Sequence, residues 1–418
     1  MTASAGKRRI LVIVENLPVP FDRRVWQEAT ALRDAGYEVS VICPLGKGYA
    51  KRVEVIEGVH IYRHPLPVEA SGALGYVAEY GIAFFWQSVL AWRIFLTRGF
   101  DAIHACNPPD TIFLVGLMFK LFGRRFIFDH HDINPELYVA KFGRRDIFYK
   151  LLLLLERLTF HVASVSIATN ESYRRIAIER GRMPPERVFV VRSGPDLRRL
   201  QRRPPDERLK NGRRYLVGYV GVMGRQEGID LLLRAIYHVV RVRRRTDVQF
   251  GLVGGGTELE AMRAYARGLA IDAYVTFTGR VPDEDMLQML NTADVCVNPD
   301  VANEMNDKST MNKIMEYMAL GKPIVQFDLT EGRFSAQGAS LYAARNDEVD
   351  LAEKILELLD DPERRARMGA YGRRRVETAL AWEYEIPKLL QAYDRLFDNP
   401  QPEPDDTHAS EPAGDRLD

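Results

Sequence analysis

The chain has 418 residues, too many for one ordinary domain, and 46% of them are apolar, enough for two separate cores. Its 58 basic and 57 acidic residues leave a net charge of +1, which removes any general attraction to nucleic acid. Cys43, Cys106 and Cys296 are too few and too scattered for a disulfide framework or a zinc site, and they read as buried packing residues.

Lys7, Arg8 and Arg9 precede an apolar run that stops at Glu15, short of the roughly 7–15 residues of a signal-peptide core. The later apolar stretch 81–96 carries Gln87 and Arg93 and falls short of the about 20 residues of a spanning helix. The expected location is therefore the cytoplasm. Apolar runs at 9–14, 38–43, 101–105, 125–129, 163–168 and 187–192 alternate with helical patterns at 23–35, 73–97, 109–122 and 144–160. Such alternation implies βαβ units and a parallel sheet covered on both faces. Residues 1–192 thus form a first Rossmann-like, doubly wound α/β lobe. Residues 193–213 are rich in Gly, Pro, Arg and Asp and read as a linker. Alternation resumes at 215–220, 248–253, 274–278, 294–297 and 324–327, giving a second such lobe over 214–380. Asp361 and Pro362 open a charged helix, and a final amphipathic helix occupies 381–398. The tail 399–418 is rich in Pro, Asp and Glu, and its composition predicts disorder.

Ligands of doubly wound sheets bind beyond the carboxyl ends of the strands, so the loops there are the places to search. The first loop, Glu15 to Arg24, lacks a GxGxxG fingerprint. Asp22 there is either a helix cap or, with Arg23 and Arg24, part of an acceptor site. The second, Asp129-His-His-Asp132, gathers four titratable groups at one strand end, where leaving them buried and unpaired is costly. Metal binding is the alternative there, but no further His or Cys cluster completes a ligand set. The third, from Gly221 to Gly228, is a Gly-rich turn before a helix that lets backbone approach a phosphate, and Gly254-Gly-Gly256 is either similar or only a tight turn. In the fourth, Ser309 or Thr310 caps a helix running to Leu320, with Gly321 closing it. Its free amides suit a diphosphate. Lys313 and Glu316 share a face, and a carboxylate on this otherwise apolar helix calls for a partner such as a ribose.

Glu316-Tyr-Met-Ala-Leu-Gly-Lys-Pro-Ile-Val325 resembles the E-A-M-A-x-G-x-P-V-V signature of the retaining GT-B glycosyltransferases called family 4. The stretches 24–39, Leu252-Val-Gly-Gly-Gly256 and Phe277-Thr-Gly-Arg-Val281 are also similar to that family, and matches in order span Arg9 to Leu396. The first lobe most resembles bacterial polysaccharide-assembly members. The resemblance implies two lobes facing across a cleft, donor in the second, acceptor in the first, no metal, and a last helix crossing back to the first lobe. It implies no cofactor beyond the nucleotide-diphosphate sugar. By the same matching, Glu316 would hold the donor ribose and Ser309 to Met311 the diphosphate, with Gly221 in the Gly-rich turn. Gly279, Arg280 and Val281 would lie beside the base. His131, followed by Asp132, matches the histidine near the transferred sugar, with His130 as the alternative.

Three positions depart from the family. Lys308 stands where the first Glu of its E-x7-E motif belongs, Val222 and Glu227 stand where its phosphate-binding Arg and Lys belong, and Pro18-Val-Pro20 replaces its Gly-rich first loop. One explanation is relocation: Arg225, Lys308 or Lys313 on the diphosphate, Asp307 or Glu304 on the sugar, and a Glu227–Lys308 ion pair. The other is a degenerate site. The function implied is transfer of a sugar from a nucleotide-diphosphate sugar, with retention and without metal, to a glycan or polyprenyl-linked acceptor. Catalysis would fall to His131, Asp132 and Arg225. A nucleotide-sugar epimerase and a binding subunit without chemistry are the alternatives. The helical stretches 75–98 and 144–157, apolar with flanking Arg, suit either core packing or peripheral contact with the inner face of an anionic membrane.

Overall fold

The structure, a computed structural model, describes residues 7–65 and 73–397, with side chains omitted at 73–80. The tail expected to be disordered lies outside the described residues.

Among the described residues, the first lobe has eight strands: β1 (Arg9–Ile13), β2 (Glu38–Pro44), β3 (Val53–Ile56), β4 (Val59–His64), β5 (Ala102–Cys106), β6 (Arg125–His130), β7 (Val165–Ala168) and β8 (Val188–Val190). They pair in the order β3-β4-β2-β1-β5-β6-β7-β8, all parallel except β3 against β4. The second lobe has six, all parallel: β9 (Tyr215–Val220), β10 (Val248–Val253), β11 (Val275–Gly279), β12 (Val295–Asn298), β13 (Ile324–Phe327) and β14 (Ser340–Ala343). Their order is β11-β10-β9-β12-β13-β14. Strands such as β1 and β10 are apolar along nearly their whole length because helices cover both faces.

In each sheet the first strand of the lobe lies between strands reached by opposite crossovers, β1 between β2 and β5, β9 between β10 and β12. These switch points open a crevice at the strands' carboxyl ends. The loops after β1, β5, β6, β9 and β12 gather there.

Several elements differ from the sequence reading. The hairpin β3–β4 and strand β14 have no counterpart in it. The single helix read at 109–122 is a 3-10 turn, Asp110–Ile112, running into Phe113–Lys120. The stretch read as 144–160 is the helix Ile147–Val162, capped by Asp146, and a separate helix, Asn134–Phe142, precedes it. The latter opens on Pro135, which a helix accepts only in its first turn.

The segment 193–213 is tied to the second lobe rather than free. Leu200 sits in that lobe's core, the Arg203 amide donates to Asn291 Oδ1 (3.0 Å) and the Asp206 amide to Thr292 Oγ1 (2.9 Å). Where the lobes join, two chain crossings touch. The Trp382 amide donates to the Pro195 carbonyl (3.2 Å), and Arg192 N–H donates to buried Glu385 (2.9 Å). The final helix, Ile386–Leu396, then buries Leu389, Ala392, Tyr393 and Leu396 in the first lobe's core. Burying a leucine of this kind contributes about 2 kcal/mol.

Candidate active site in the interlobe cleft

The first-lobe side of the site grows from the end of β6. Strand alternation sends Asp129 and His130 to opposite faces. His130 is fully buried among Phe128, Phe160 and Tyr173, with Glu156 at 3.5 Å, so it faces the core and not the cleft. Asp129, also fully buried, is the centre of a charged nest. Its Oδ1 accepts from Arg24 Nη2 (2.9 Å), and its Oδ2 accepts from His104 Nε2 (3.2 Å) and His131 Nε2. A contact that close between Oδ2 and His131 Nε2 requires the proton on Nε2. The Arg24 Nε that lies 2.9 Å from the same nitrogen is therefore not donating to it. His104 Nε2–H likewise fixes Nδ1 as acceptor, and Tyr393 O–H donates to it (2.8 Å). A relay thus runs Tyr393–His104–Asp129–His131, from the returning helix to the cleft.

Burial would raise the Asp129 carboxyl, but Arg24, His131 and the two histidine hydrogen bonds hold it well below the usual range. Glu28 goes the other way. Burial and the neighbouring Asp129 charge push it well up, although Arg24 Nη2 stands 3.0 Å away. Arg24 is thus turned into the lobe, donating also to the Val191 carbonyl (2.9 Å), rather than facing an acceptor. Glu28, Cys106, Asp129 and His131 bring ligand-type atoms within 4.8 Å of one another, a cluster the sequence did not reveal. The cation inside it is the Arg24 guanidinium.

The loop after β6 is pinned by Asn107, which follows β5. Its Oδ1 accepts from the amides of His131 (2.7 Å) and Asp132 (3.1 Å), and its Nδ2 donates to the Asp132 carbonyl (2.6 Å). Burial raises the half-buried Asp132 carboxyl, and His131 only partly offsets this. Asp22 caps the helix Arg23–Asp34, accepting from Val25 N–H (3.1 Å).

Across the cleft, the helix Asn312–Ala319 starts at Met311, with no side chain capping it. Ser309 instead ends a separate short helix, Glu304–Lys308. Ser309 and Thr310 meet the first lobe: Asn170 Nδ2 donates to Thr310 Oγ1 (3.0 Å), and Tyr173 Oη lies 3.1 Å from Ser309 Oγ. Arg192 Nη1 reaches Thr310 Oγ1 at 3.5 Å. Glu316 points into the cleft, where Arg23 (3.2 Å) and Arg199 both pair with it. The same two arginines also hold Asp283, Arg199 at 2.9 Å. Beside them lies a pocket of ≈ 480 Å³ between the lobes, lined by Phe21, Arg23, Arg280, Val281, Pro282 and Asp283. The Arg280 guanidinium lies 4.5 Å over the Phe21 ring.

The charge exchange in the second lobe differs from the expected one. Glu227 pairs with Lys313 (3.0 Å), not Lys308. Lys313 also meets Asp300 (2.8 Å), whose carboxyl burial pushes up to about 7, with Lys313 opposing. Lys308 bridges the lobes to Glu136 (3.2 Å) and pairs with Glu304 of its own short helix (2.8 Å). Glu304 also takes Arg145 (2.7 Å), and Asp307 is held by Thr330 and Arg345. Arg225 stands 85% exposed with Glu258 at 3.7 Å. Gly221 fits because any Cβ would come within 2.4 Å of Tyr219 Oη. Gly254, at φ +135°, backs it so closely that a Cβ would lie 1.8 Å from the Gly221 carbonyl oxygen.

Both halves of this cleft match described families. Residues 22–194 match the model described as a glycosyl transferase 4-like domain, and residues 214–361 that described as glycosyl transferases group 1. The chain belongs to the family 4 glycosyltransferases of the GT-B fold.

A relative in Corynebacterium glutamicum is 29% identical over 218 residues, covering 49% of this chain and 56% of the relative. Its description is "GDP-mannose-dependent monoacylated alpha-(1-6)-phosphatidylinositol monomannoside mannosyltransferase". The match thus spans about half the length of that curated relative. Among solved structures, sucrose-phosphate synthase from Thermosynechococcus elongatus superposes with a TM-score of 0.77 at 20% identity, covering 94% of this chain and 100% of that one. Anabaena HepE in complex with UDP and glucose gives 0.70 at 15% identity, covering 92% and 99%. These likenesses establish the GT-B fold.

Within that fold, sequence reasoning overlooked Asn107, Arg199, Asp283 and Arg192. Asn107 and Asp283 had a usable signal, since each follows a strand at its carboxyl end. Arg199 and Arg192 had none, because only the packing of the linker and the lobe junction brings them to the cleft.

Proposed function

We propose that the chain is a retaining, metal-independent glycosyltransferase acting on a nucleotide-diphosphate sugar, with a glycan or polyprenyl-linked acceptor. The observation that carries this reading is Glu316, aimed into an interlobe cleft beside an uncapped helix start and a pocket edged by Phe21 and Arg280. The C. glutamicum relative's GDP-mannose and the UDP in the HepE structure support a nucleotide donor.

In this reading the base lies by Gly279, Arg280 and Val281, and the ribose displaces Arg23 and Arg199 from Glu316. The diphosphate meets the amides at Met311 and Asn312, where helix polarity favours an anion. Lys308 and Lys313 are already neutralised by carboxylates, so the mobile cations left for the leaving group are Arg225 and the arginines freed from Glu316. The bond from the anomeric carbon to the phosphate oxygen breaks with its electron pair on that oxygen. The acceptor hydroxyl forms the new bond on the same face and passes its proton to the departing oxygen. The protein's part is positioning and charge stabilisation. With Nε2–H spent on Asp129, His131 offers Nδ1 as the acceptor for a sugar hydroxyl.

A thermal-shift screen with UDP, GDP and their sugars tests the donor site, since a ligand bound to the native state raises the melting temperature. No shift with any nucleotide, together with no shift change in Glu316→Ala, would end this reading. His131→Ala should lower turnover far more than nucleotide affinity. Arg225→Ala should weaken binding of sugar nucleotides and nucleoside diphosphates but not of the nucleoside.

A further inference from the structure

A second concave site lies on the first lobe, at the opposite edge of the sheet from the cleft. Its lining residues Ala163 and Arg187 stand two residues before β7 and one before β8, so it sits where those strands begin, whereas the cleft lies where they end. The pocket is ≈ 490 Å³. Arg157, His161, Arg182 and Arg187 surround it, with Phe160 and Met183 on its floor. Its lining holds no carboxylate, and among the described residues none of the three arginine side chains has a hydrogen-bond or ion-pair partner. Three exposed arginines without partners around one hollow give it a positive potential. Like charges lining one hollow with no carboxylate to neutralise them point to a ligand that supplies the anion.

The pocket is also the end of an apolar track. Ile147, Leu151, Leu154 and Leu158 follow each other at intervals of four, three and four along the helix Ile147–Val162, and so share one face. Ile147, Leu151 and Leu154 are exposed, and Leu158 lines the pocket. The track covers about 16 Å, at 1.5 Å per residue. Exposed Leu114, Leu117, Leu121 and Phe122 belong to the helix Phe113–Lys120 and its end, and Lys120 Nζ ties that end to the Val162 carbonyl (2.8 Å). At the other end of the track, exposed Arg144 and Arg145 stand by the cleft, where Arg145 pairs with Glu304 of the second lobe.

An apolar strip with cations at both ends and a cationic hollow at one of them has the layout of a surface that lies in a lipid headgroup layer. We infer that the Arg157–Arg182–Arg187 pocket binds the phosphate of an anionic phospholipid, with the adjoining leucine face resting in the membrane surface. A soluble phosphate offers the same head chemistry but leaves the apolar track uncovered, which is why the lipid is the ligand assigned. This deepens the lipid-linked acceptor reading above, since it lays the cleft end of the helix Ile147–Val162 against the membrane.

Vesicle flotation with the full chain tests it. The protein should float with phosphatidylcholine vesicles containing phosphatidylglycerol, and far less with phosphatidylcholine alone. The triple variant R157A/R182A/R187A should weaken that binding on the order of a hundredfold, from the typical contribution of each cation at an anionic surface. Leu151→Ser with Leu154→Ser should weaken it separately. Both variants should keep the wild-type nucleotide thermal shift, which shows they fold. Equal flotation on neutral and anionic vesicles would overturn the inference, as would wild-type binding by the triple variant. Tight, Arg-dependent binding of glycerol 3-phosphate without recruitment to vesicles would reassign the pocket to a soluble phosphate and overturn it too. A missing nucleotide shift in the wild type would sink the donor reading and leave the vesicle result standing.

Discussion

The nest around Asp129 and the clamp on Glu316 are both made of arginine and carboxylate, yet they do opposite work. Asp129, Glu28 and Arg24 are sealed in the first lobe, and every strong contact of Asp129 is a charge-assisted hydrogen bond. Glu316 is 14% exposed and its partner Arg23 is 49% exposed, on the other lobe. Buried pairs cost several kcal/mol to desolvate, and removing one partner strands the other's charge at a further cost. Exposed pairs are worth about 0–1 kcal/mol and exchange with solvent or ligand. The first kind fixes the cleft wall, and the second leaves the cleft free to take a ligand.

Asp129→Ala should break the nest hardest, by about 3–5 kcal/mol in chemical denaturation, because it strands Arg24, His104 and His131 without their shared acceptor. Pairing it with Arg24→Met should recover much of that loss. If the double variant is no more stable than the single one, the nest is not an electrostatic unit.

A smaller effect of the same origin lies at Asp110, where burial, reinforced by the Glu156 charge, pushes the carboxyl from 3.8 to about 6. The native form then binds more protons than the unfolded chain between those values. Its contribution is complete below pH 3.8 and is lost as pH rises through 6, a fall of about 3 kcal/mol. Asp110→Asn should flatten that part of the stability–pH curve, at a cost of about 1 kcal/mol for one mismatched hydrogen bond to Asn107 or Asn134.

The two regions were also unequally legible in the sequence. Sheet strands and the two-lobe plan could be read because strands buried on both faces are continuous apolar runs between turn residues. The hairpin β3–β4 escaped because β3, Val-Glu-Val-Ile, is largely exposed, and the buried β4, Val-His-Ile-Tyr-Arg-His, mixes polar with apolar residues. The Asp129-His-His-Asp132 run announced a charged strand end, but which histidine faces the cleft follows from the pleat, and Glu28 joins only through the fold. Lys313 and Lys308 illustrate the limit. Their charges were visible, and their partners Glu227, Asp300, Glu136 and Glu304 were set by packing between segments far apart in the chain.

Tyr393→Phe probes the link between the nest and the cleft. Removing the hydroxyl leaves His104 Nδ1 a buried acceptor without a donor, at a cost of about 1–2 kcal/mol. If the relay positions His131, turnover should fall while nucleotide affinity stays, and the pH profile of turnover should shift. An unchanged profile with lower stability would reduce Tyr393 to packing.

Arg23→Ala should have the smallest effect on stability, under about 1 kcal/mol, since Arg23 is itself 49% exposed and Arg199 still pairs with both Glu316 and Asp283. Its effect on binding is the sharper one. Arg23 and Arg199 both pair with the carboxylate that a ribose would use, so a nucleoside must displace them. Removing Arg23 should therefore tighten binding of the nucleoside, which has no phosphate for the arginine to follow. With the nucleoside diphosphate the freed guanidinium regains a partner, so the variant should gain less or lose affinity. A calorimetric comparison of uridine or guanosine with its diphosphate on both proteins reads the difference directly. If Arg23→Ala weakens both ligands equally, Arg23 is a plain binding residue and the contrast between a fixed nest and an exchangeable clamp fails at the clamp.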